Sequence, residues 1–495
     1  MICIMKHKLP LVFAVAASML TGCNGKEDPG NVPDQPSKEE AERTAVNIFA
    51  YNTLNVYYLW NEEISGSFGE WTTDEDPVEK VYKIRYKDAS GKDIDRWTMV
   101  TDRYSEMVSS TDHISKTYGM DFKTYYLDRT SKAVCMVVTL VYPSSPAEKA
   151  GITRGACFTH INGTAITEQN YLDLINDGFL SAPSVRLTGI NGSETSMTAV
   201  VMYEDPVLVH KVFDVDGKKV GYLFYNGFTL DSINDLVGVS SEFKSAGVTE
   251  LILDLRYNPG GYVYAETALA SLLAPEAEVR AESVFETNIY NKALSSIMGD
   301  SNTYFAPRLS DEVNGKRIEA DLISSNLNLP KLYAIMTENS ASASESLITG
   351  LKPYMDIKIF GSRSYGKFCM GLMQSAKDWY RNIKAKDNPE LASYGEYAGD
   401  WGMYVMIGRF ADKFGNTPCM PDGFEPDVKV SDNPVETYQL GDEEEAMLKA
   451  VLDYIRTGSA SATRALETMP AALPAGHDTS YGKRIMLLGK DGLLH

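Results

Sequence analysis

Histidine is scarce in this chain of 495 residues, and its distribution excludes one kind of catalysis. Only six histidines occur, and none lies between Lys211 and Gly476. A serine nucleophile in that long stretch would have to take its histidine base from elsewhere in the chain. The sequence also has no metal-ligand spacing, no Walker loop and no dinucleotide fingerprint, so we expect no cofactor.

Basic residues are fewer than acidic ones, which limits the possible partners. Lys and Arg total 47 against 67 Asp and Glu, and the formal net charge is −20. The phosphates of a nucleic acid would repel such a chain, so we expect no nucleic-acid partner. The content of hydrophobic residues (44%) and charged residues (23%) is ordinary for a globular protein, and the length suggests about three domains.

The first 23 residues have the pattern of a targeting segment. Lys6 and Lys8 precede an apolar run that is too short to span a bilayer, and the residues LTGC, ending at Cys23, follow it. This resembles the lipobox of bacterial lipoproteins, which implies cleavage before Cys23 and lipidation of that residue. We therefore predict a signal peptide at 1–22, a tether at 23–37, and a bacterial envelope protein anchored to the outer membrane, at its periplasmic face or at the cell surface.

A run of small hydroxyl residues, TENSASASES, follows a predicted strand at residues 332–336. Ser342 and Glu345 fit the capping-box pattern of a helix start. A helix N-terminus also presents free N–H groups and a positive dipole end, which suit a nucleophilic serine. In that interpretation the N–H of Ala343 helps to hold the oxyanion that forms when Ser342 attacks a carbonyl.

Because no histidine lies in the stretch that contains Ser342, lysine is the economical base for this serine. Lys367 lies between Tyr365-Gly366 and Phe368, and burial in such an apolar setting would lower its pKa toward neutrality. The alternative is a solvated charge in a loop. Upstream, LILDLRYNPGGY reads as a buried strand with a glycine pair behind it; Gly260 or Gly261 supplies either a tight turn or a second oxyanion N–H.

These three motifs, in this order, resemble the carboxyl-terminal processing (tail-specific) serine peptidases over roughly residues 40–455. The resemblance implies Ser342 as the nucleophile, Lys367 as the base, and an oxyanion hole formed by Ala343 and the glycine pair. Many members follow the lysine with Gly-x-x-Gln, whose glutamine orients the lysine. This chain departs from that pattern, and Gln374, at a shifted position, is its candidate for the role.

The stretch before the peptidase motifs resembles a PDZ domain of the bacterial protease type. It reads as short strands, among them 134–141 and 157–161, and the second strand is closed by an Asn162-Gly163 turn. In such domains a glycine loop grips a peptide carboxylate through successive N–H groups, and the peptide adds as a strand. The residues that occupy this place are Tyr118, Gly119, Met120, Asp121 and Phe122.

We therefore predict an α/β protein: a catalytic domain with the crotonase/Clp-protease-like spiral of ββα units, an inserted PDZ-like domain and a small N-terminal helical domain. The predicted boundaries are 38–110 for the helical domain, 111–205 for the PDZ-like domain, 206–457 for the catalytic domain and 458–495 for a tail. Outside the leader and Cys23, four cysteines remain. We favour the pairs Cys135–Cys157 and Cys369–Cys419, with free buried thiols as the alternative.

The predicted function is that of an exported, lipid-anchored serine endopeptidase with a Ser/Lys dyad. Its PDZ domain would receive the free carboxyl terminus of a protein or peptide substrate. Two other functions stay open on the same residues. One is an apolar-ligand-binding protein of the same fold, and the other is a peptide-binding scaffold that acts through the PDZ groove without turnover.

Overall fold

The structure, a computed structural model, describes residues 36–128, 130–313, 315–435 and 438–459. The predicted signal peptide, Cys23, most of the tether and almost all of the predicted tail lie outside the described residues. Within the described ranges, no helix has both the length and the apolar character that crossing a bilayer requires.

The N-terminal region is helical, as predicted. Ser37 begins the first helix through a capping box: its Oγ accepts a hydrogen bond from the Glu40 N–H, and the Glu40 carboxylate accepts one from the Ser37 N–H. The elements of this region are α1 (Lys38–Tyr57), α2 (Ser65–Phe68), α3 (Pro77–Ile84), β1 (Met99–Thr101) and α4 (Tyr104–Thr111).

The next region forms a six-stranded antiparallel sheet with its own small apolar core. Its strand order is β3-β4-β5-β7-β8, with β6 beside β5, so β3 is an edge strand; β2 and β9 pair where the chain enters and leaves. The elements are β2 (Ile114–Thr117), β3 (Met120–Asp128), β4 (Ala133–Val141), α5 (Pro146–Lys149), β5 (Cys157–Ile161), β6 (Thr164–Ala165), α6 (Tyr171–Ile175), a π-helical turn (Asn176–Leu180), β7 (Ser184–Gly189), β8 (Glu194–Thr198) and β9 (Val200–Tyr203).

The remaining elements build two further sheets and the helices that cover them. Those of the first part are β10 (Val207–Val215), β11 (Lys218–Tyr225), α7 (Ser232–Ser245), β12 (Glu250–Asp254), α8 (Val263–Leu273), α9 (Glu276–Arg280), β13 (Val284–Tyr290), α10 (Lys292–Met298), β14 (Asn302–Tyr304), β15 (Arg308–Val313), β16 (Lys316–Asp321) and a 3₁₀ turn (Ile323–Ser325). Those of the second part are β17 (Lys331–Met336), α11 (Ala343–Leu351), β18 (Asp356–Gly361), β19 (Cys369–Ser375), α12 (Ala376–Arg381), α13 (Pro389–Ser393), a 3₁₀ turn (Tyr394–Tyr397), β20 (Gly402–Ala411), β21 (Val428–Lys429) and α14 (Ala446–Thr457).

The larger of these sheets has the order β10-β11-β12-β17-β18-β21 and is parallel from β11 to β21. Its strands are apolar at successive positions because both faces are covered: Leu251 and Leu253 join one core, and Ile252 joins the core beneath α14. Parallel strands end at one edge of the sheet, so the loops after β12, β17 and β18 lie together.

The second sheet is antiparallel and has the order β1-β20-β13-β14, with β19 also paired to β20. Because β1 belongs to it, residues 38–110 form no core of their own; their buried side chains belong to the same apolar cluster as those of α8, α11 and β20. The polar stretch 379–400 is largely helical and packs on α1, where Tyr380 Oη donates to the Ala45 carbonyl at 2.7 Å.

Candidate active site

Ser342 lies between the end of β17 and the first residue of α11, in a backbone conformation that serine rarely adopts. Its φ is +59° and its ψ is −116°, and the side chain is fully buried. Such a conformation costs about 1–3 kcal/mol and persists only where the surroundings impose it. Among the described residues, no group forms a hydrogen bond with Ser342 Oγ. The structure thus places an uncommitted hydroxyl on a strained turn at a helix N-terminus.

The loop after β12 fixes the strained turn from the other side. Asn258 O accepts the Ala341 N–H at 3.1 Å and the Ser344 hydroxyl at 2.9 Å. Gly260 lies directly against the serine, because a Cβ added to it would be 2.7 Å from Ser342 Cβ. The φ of Gly260 is +108°, so both the close approach and the backbone require glycine here.

The predicted oxyanion donors differ in what they already bind. The Gly260 N–H donates to Asn258 Oδ1 at 2.9 Å, so it is engaged. Within the described part of the chain, neither the Ala343 N–H nor the Gly261 N–H donates to a protein acceptor. Of the glycine pair, Gly261 is therefore the residue that retains a free donor.

Lys367 is buried, with 1% of its surface exposed. Its Nζ donates to Tyr404 Oη at 3.1 Å and lies 5.9 Å from the centre of the Trp97 ring and 4.9 Å from that of Tyr404. Burial lowers the pKa of Lys367 from 10.5 to about 8, although the neighbouring Cys369, Asp95 and Glu345 act in the opposite direction. An appreciable fraction of this amine is neutral near physiological pH, which a base requires.

Glu345 connects the serine turn to the lysine segment. Its Oε2 accepts the Ser342 N–H at 3.2 Å and the Lys367 N–H at 2.7 Å, while Oε1 accepts the Gly366 N–H at 2.7 Å and the Ser364 hydroxyl at 2.5 Å. Burial raises the pKa of this carboxyl to about 7, and the four donors partly oppose that rise. One buried side chain thereby holds both predicted catalytic residues by their backbones.

One of the predicted site assignments, Gln374 as the residue that orients the lysine, does not fit the structure. Gln374 is not near the lysine amine: its Oε1 accepts from Thr53 Oγ1 at 3.1 Å, and Lys367 Nζ bonds Tyr404 instead. Six residues, most of them extended in β19, separate Gln374 from Lys367, which is too far for a side chain to return along the strand. Ser342 Oγ and Lys367 Nζ do not form a hydrogen bond with each other in the described structure.

The predicted peptide-binding segment is also different from expectation. Tyr118, Gly119, Met120, Asp121 and Phe122 are all buried. The Gly119 N–H donates to Thr117 Oγ1 at 2.9 Å, and the Tyr118 and Phe122 rings pack on Phe179 of the π-helical turn. The Gly119 N–H is therefore already engaged within the protein, and the segment continues into β3, an edge strand of its sheet.

The predicted disulfides are not formed. Cys135, Cys157, Cys369 and Cys419 are free thiols, in agreement with the alternative. A hydrogen bond between the first two thiols raises the pKa of Cys135 and lowers that of Cys157. Cys369 and Cys419 are buried.

A buried ionic network supports the loop after β12 and joins it to the antiparallel region. Arg256, fully buried, binds Asp254 and donates to Glu445 at 2.5 Å. Arg154, from the loop before β5, donates to Tyr257 Oη at 2.7 Å and to Asp432 at 2.8 Å. Although burial opposes it, the two guanidinium groups hold the pKa of Asp432 well below its usual range.

Sequence reasoning singled out Ser342 and Lys367 but missed the contacts that Glu345 and Tyr404 make with them. Glu345 was visible only as the third residue of a capping box, and that pattern does not reveal its bonds to the segment around Lys367. Tyr404 lies in an ordinary apolar strand, and nothing in its local sequence distinguishes it.

A serine on a strained turn, free amides beside it and a buried amine of lowered pKa are features of a serine-type peptidase. Comparison with known proteins agrees. Residues 219–430 match Peptidase family S41, and residues 137–178 match the PDZ domain. The chain is 24% identical over 411 residues to a CtpA-like serine protease of Staphylococcus aureus (strain COL), covering 80% of this chain and 76% of that protein.

Two further similarities point the same way. The chain is 25% identical over 343 residues to a carboxyl-terminal-processing protease of Picosynechococcus, covering 66% of this chain and 68% of that one. A crystal structure described as an S41 protease from Bacteroides fragilis superposes with a TM-score of 0.62 at 21% identity, covering 87% and 99% of the two chains. The protein is a serine-type peptidase whose residues 219–430 match peptidase family S41 and whose residues 137–178 match the PDZ domain, and a carboxyl-terminal-processing protease is among its relatives. The predicted family, enzyme class and fold class are confirmed.

Proposed function

We propose that this peptidase cleaves polypeptides through a Ser342/Lys367 dyad. Neutral Lys367 takes the proton of the Ser342 hydroxyl as Oγ attacks the substrate carbonyl. The amides of Ala343 and Gly261 hold the oxyanion of the tetrahedral intermediate. Collapse of that intermediate expels the amine, which takes the proton from Lys367; water then attacks the acyl-enzyme and releases the new carboxyl terminus.

The observation that carries the dyad is the shared carboxylate of Glu345, which binds the backbone N–H of both residues. It keeps the two segments adjacent, while burial gives the lysine amine a pKa of about 8. The missing hydrogen bond between the two side chains is compatible with this function, since catalytic hydrogen bonds are often long until substrate binds.

The experiment that tests the dyad compares Ser342→Ala and Lys367→Ala with the parent enzyme, all lacking residues 1–23. We expect each variant to lose proteolysis of an unfolded protein while keeping its thermal unfolding transition. A serine-reactive fluorophosphonate should label the parent and fail to label Ser342→Ala. Full cleavage by either folded variant would refute the dyad.

We further propose that the PDZ domain receives the substrate's carboxyl terminus by adding it as a strand at the edge of β3. The support is that β3 lies at the edge of its sheet, the position at which a peptide can be added as a further strand. Because Phe179 fills the space beside Tyr118 and Phe122, the π-helical turn must move for a terminal side chain to enter. Substrates that differ only in their last residues, or that carry a terminal amide, test this: equal cleavage rates would contradict it.

The lipid anchor is the third part of the proposal, and it is based on the LTGC motif that ends at Cys23. We propose that the mature protein begins at Cys23 and is held to the outer membrane of the cell envelope by acyl chains. Metabolic labelling with an alkyne fatty acid should label the parent protein. Cys23→Ala should remove the label and release the protein from the membrane fraction; retained labelling would contradict this assignment.

A further inference from the structure

The surroundings of the Lys367 amine contain one feature that the dyad does not explain. Among the described residues, Tyr404 Oη is the hydrogen-bond partner of Lys367 Nζ, at 3.1 Å, and both side chains are buried. Tyr404 lies on β20, in the second sheet, and the residue opposite it in β19 is Met373. The lysine is therefore oriented by a residue from a neighbouring strand and not by one from its own.

The backbone of β19 is shaped to admit this tyrosine. A Cβ added to Gly371 would lie 2.2 Å from Tyr404 Cε2 and 2.6 Å from its Oη. A register shift between Met370 and Gly371 interrupts the β19–β20 ladder at the same place. Any side chain at 371 would expel the ring from its position beside the lysine.

We infer that Tyr404 is the positioning residue for Lys367, and that Gly371 is glycine in order to admit the Tyr404 ring. The inference rests on the proposed dyad. In the neutral amine, four positions surround Nζ: the bond to its carbon, the hydrogen that Tyr404 accepts, a second hydrogen and the lone pair. Fixing one hydrogen on Tyr404 Oη restricts rotation about the terminal C–N bond, so the lone pair can be held toward the serine hydroxyl.

Tyr404 Oη is an acceptor for both protonation states, but it stabilises the charged one more because that hydrogen bond is charge-assisted. The other charged or titratable groups around the amine are Asp95 and Arg96 from the N-terminal region, Cys369 on β19 and Glu345 on α11. All four residues are retained when only the tyrosine hydroxyl is removed. A shift in the pH dependence of catalysis would therefore report on Tyr404 itself.

The test is the variant Tyr404→Phe, which removes one oxygen atom and keeps the ring. We expect kcat on a peptide substrate to fall about tenfold to a hundredfold with KM little changed, because only the orientation of the base is affected. In the proposed mechanism kcat rises with pH as Lys367 loses its proton. The midpoint of this rise should move to lower pH in the variant. Tyr380→Phe is the matched control, because that hydroxyl donates to the Ala45 carbonyl and belongs to a buried side chain that is not among the groups around the Lys367 amine; its kcat and its pH dependence should not change.

Gly371→Ala provides the second arm, since it keeps the hydroxyl and displaces the ring. We expect a similar loss of kcat, and this variant carries the test if Tyr404→Phe does not fold. Unchanged kcat and midpoint in a folded Tyr404→Phe enzyme, with Lys367→Ala inactive, would overturn the positioning role and leave the dyad intact. If Lys367→Ala itself retained turnover, the dyad would be wrong instead.

Discussion

The most direct perturbation of the site is Glu345→Gln, because this carboxylate accepts four hydrogen bonds within the catalytic region. Each oxygen accepts two donors: the N–H groups of Ser342 and Lys367 on Oε2, and the N–H of Gly366 and the hydroxyl of Ser364 on Oε1. A glutamine amide replaces one oxygen by NH₂, which cannot accept. In either orientation of the amide, two of the four donors face its NH₂ group instead of an acceptor, inside a site that excludes water.

The magnitude follows from the number of bonds lost. At a pH above the Glu345 pKa of about 7, where this group is ionised, a hydrogen bond to it contributes about 1.5–3 kcal/mol, so the loss of two corresponds to about 3–6 kcal/mol. If the fold yields locally to relieve the conflict, the serine turn and the lysine segment separate, and the cost appears as lost catalysis. If it does not yield, the cost appears as lost stability. The lost catalysis and the lost stability, each expressed as a free energy, must together account for most of the loss of about 3–6 kcal/mol.

Urea unfolding, followed by tryptophan fluorescence, and kcat/KM on a peptide substrate measure the two parts. Glu425→Gln is the control: this carboxylate is 54% exposed and pairs with Arg363 at the surface, so we expect a change below about 1 kcal/mol and normal activity. A Glu345→Gln enzyme that matches the parent in both stability and activity would show that the carboxylate does not hold the dyad together.

Three other changes test separate parts of the site. Lys367→Met should stabilise the protein at pH 7 by up to about 3 kcal/mol, because the variant buries no ammonium group. In the parent, the unfolded chain binds more protons than the folded one between pH 8 and 10.5, so the parent recovers this stability as pH rises. If the substitution left the pH dependence of urea unfolding unaltered, the lowered pKa would be disproved. Gly260→Ala should reduce kcat at least a hundredfold, because its Cβ would be 2.7 Å from Ser342 Cβ; a peptide assay showing normal turnover would argue against that contact. Arg154→Met should lower the free energy of unfolding by about 3–5 kcal/mol, because it leaves Asp432 without one of its buried partners, and adding Asp432→Asn should restore part of that stability. Strict additivity of the two changes in urea unfolding would indicate that the two side chains do not interact.

The sequence predicted the parts of the site that are encoded locally. Ser342 is recognisable because strand, small residues and helix follow one another, and Lys367 because histidine is absent from the same region. The parallel sheet was predictable for a similar reason: strands covered on both faces are continuously apolar, and helices alternate with them. These signals extend over about ten residues and need no knowledge of the tertiary structure.

What the sequence did not predict depends on contacts between distant segments. Tyr404 meets Lys367 only because β19 and β20 pair in one register with one interruption, and register cannot be read from either strand alone. Gln374 was selected by its distance along the chain, but in an extended strand that distance places it beside Thr53. The sequence predicts a separate domain at the N-terminal helices because their apolar residues give no indication of which surface they cover, whereas in the structure they join the core of the catalytic region.

The shared core of the N-terminal and catalytic regions has a direct chemical consequence for the base. Trp97, from the segment before β1, is one of the rings that enclose the Lys367 amine. An exposed lysine with a pKa of 10.5 is neutral in only about 0.03% of molecules at pH 7, whereas a pKa of about 8 leaves about 10% neutral. This gain of about 300-fold lies within the 10²–10⁴ that a general base contributes to a reaction. In the proposed mechanism the N-terminal region therefore contributes to catalysis, because Trp97 helps to bury the amine that serves as the base for Ser342.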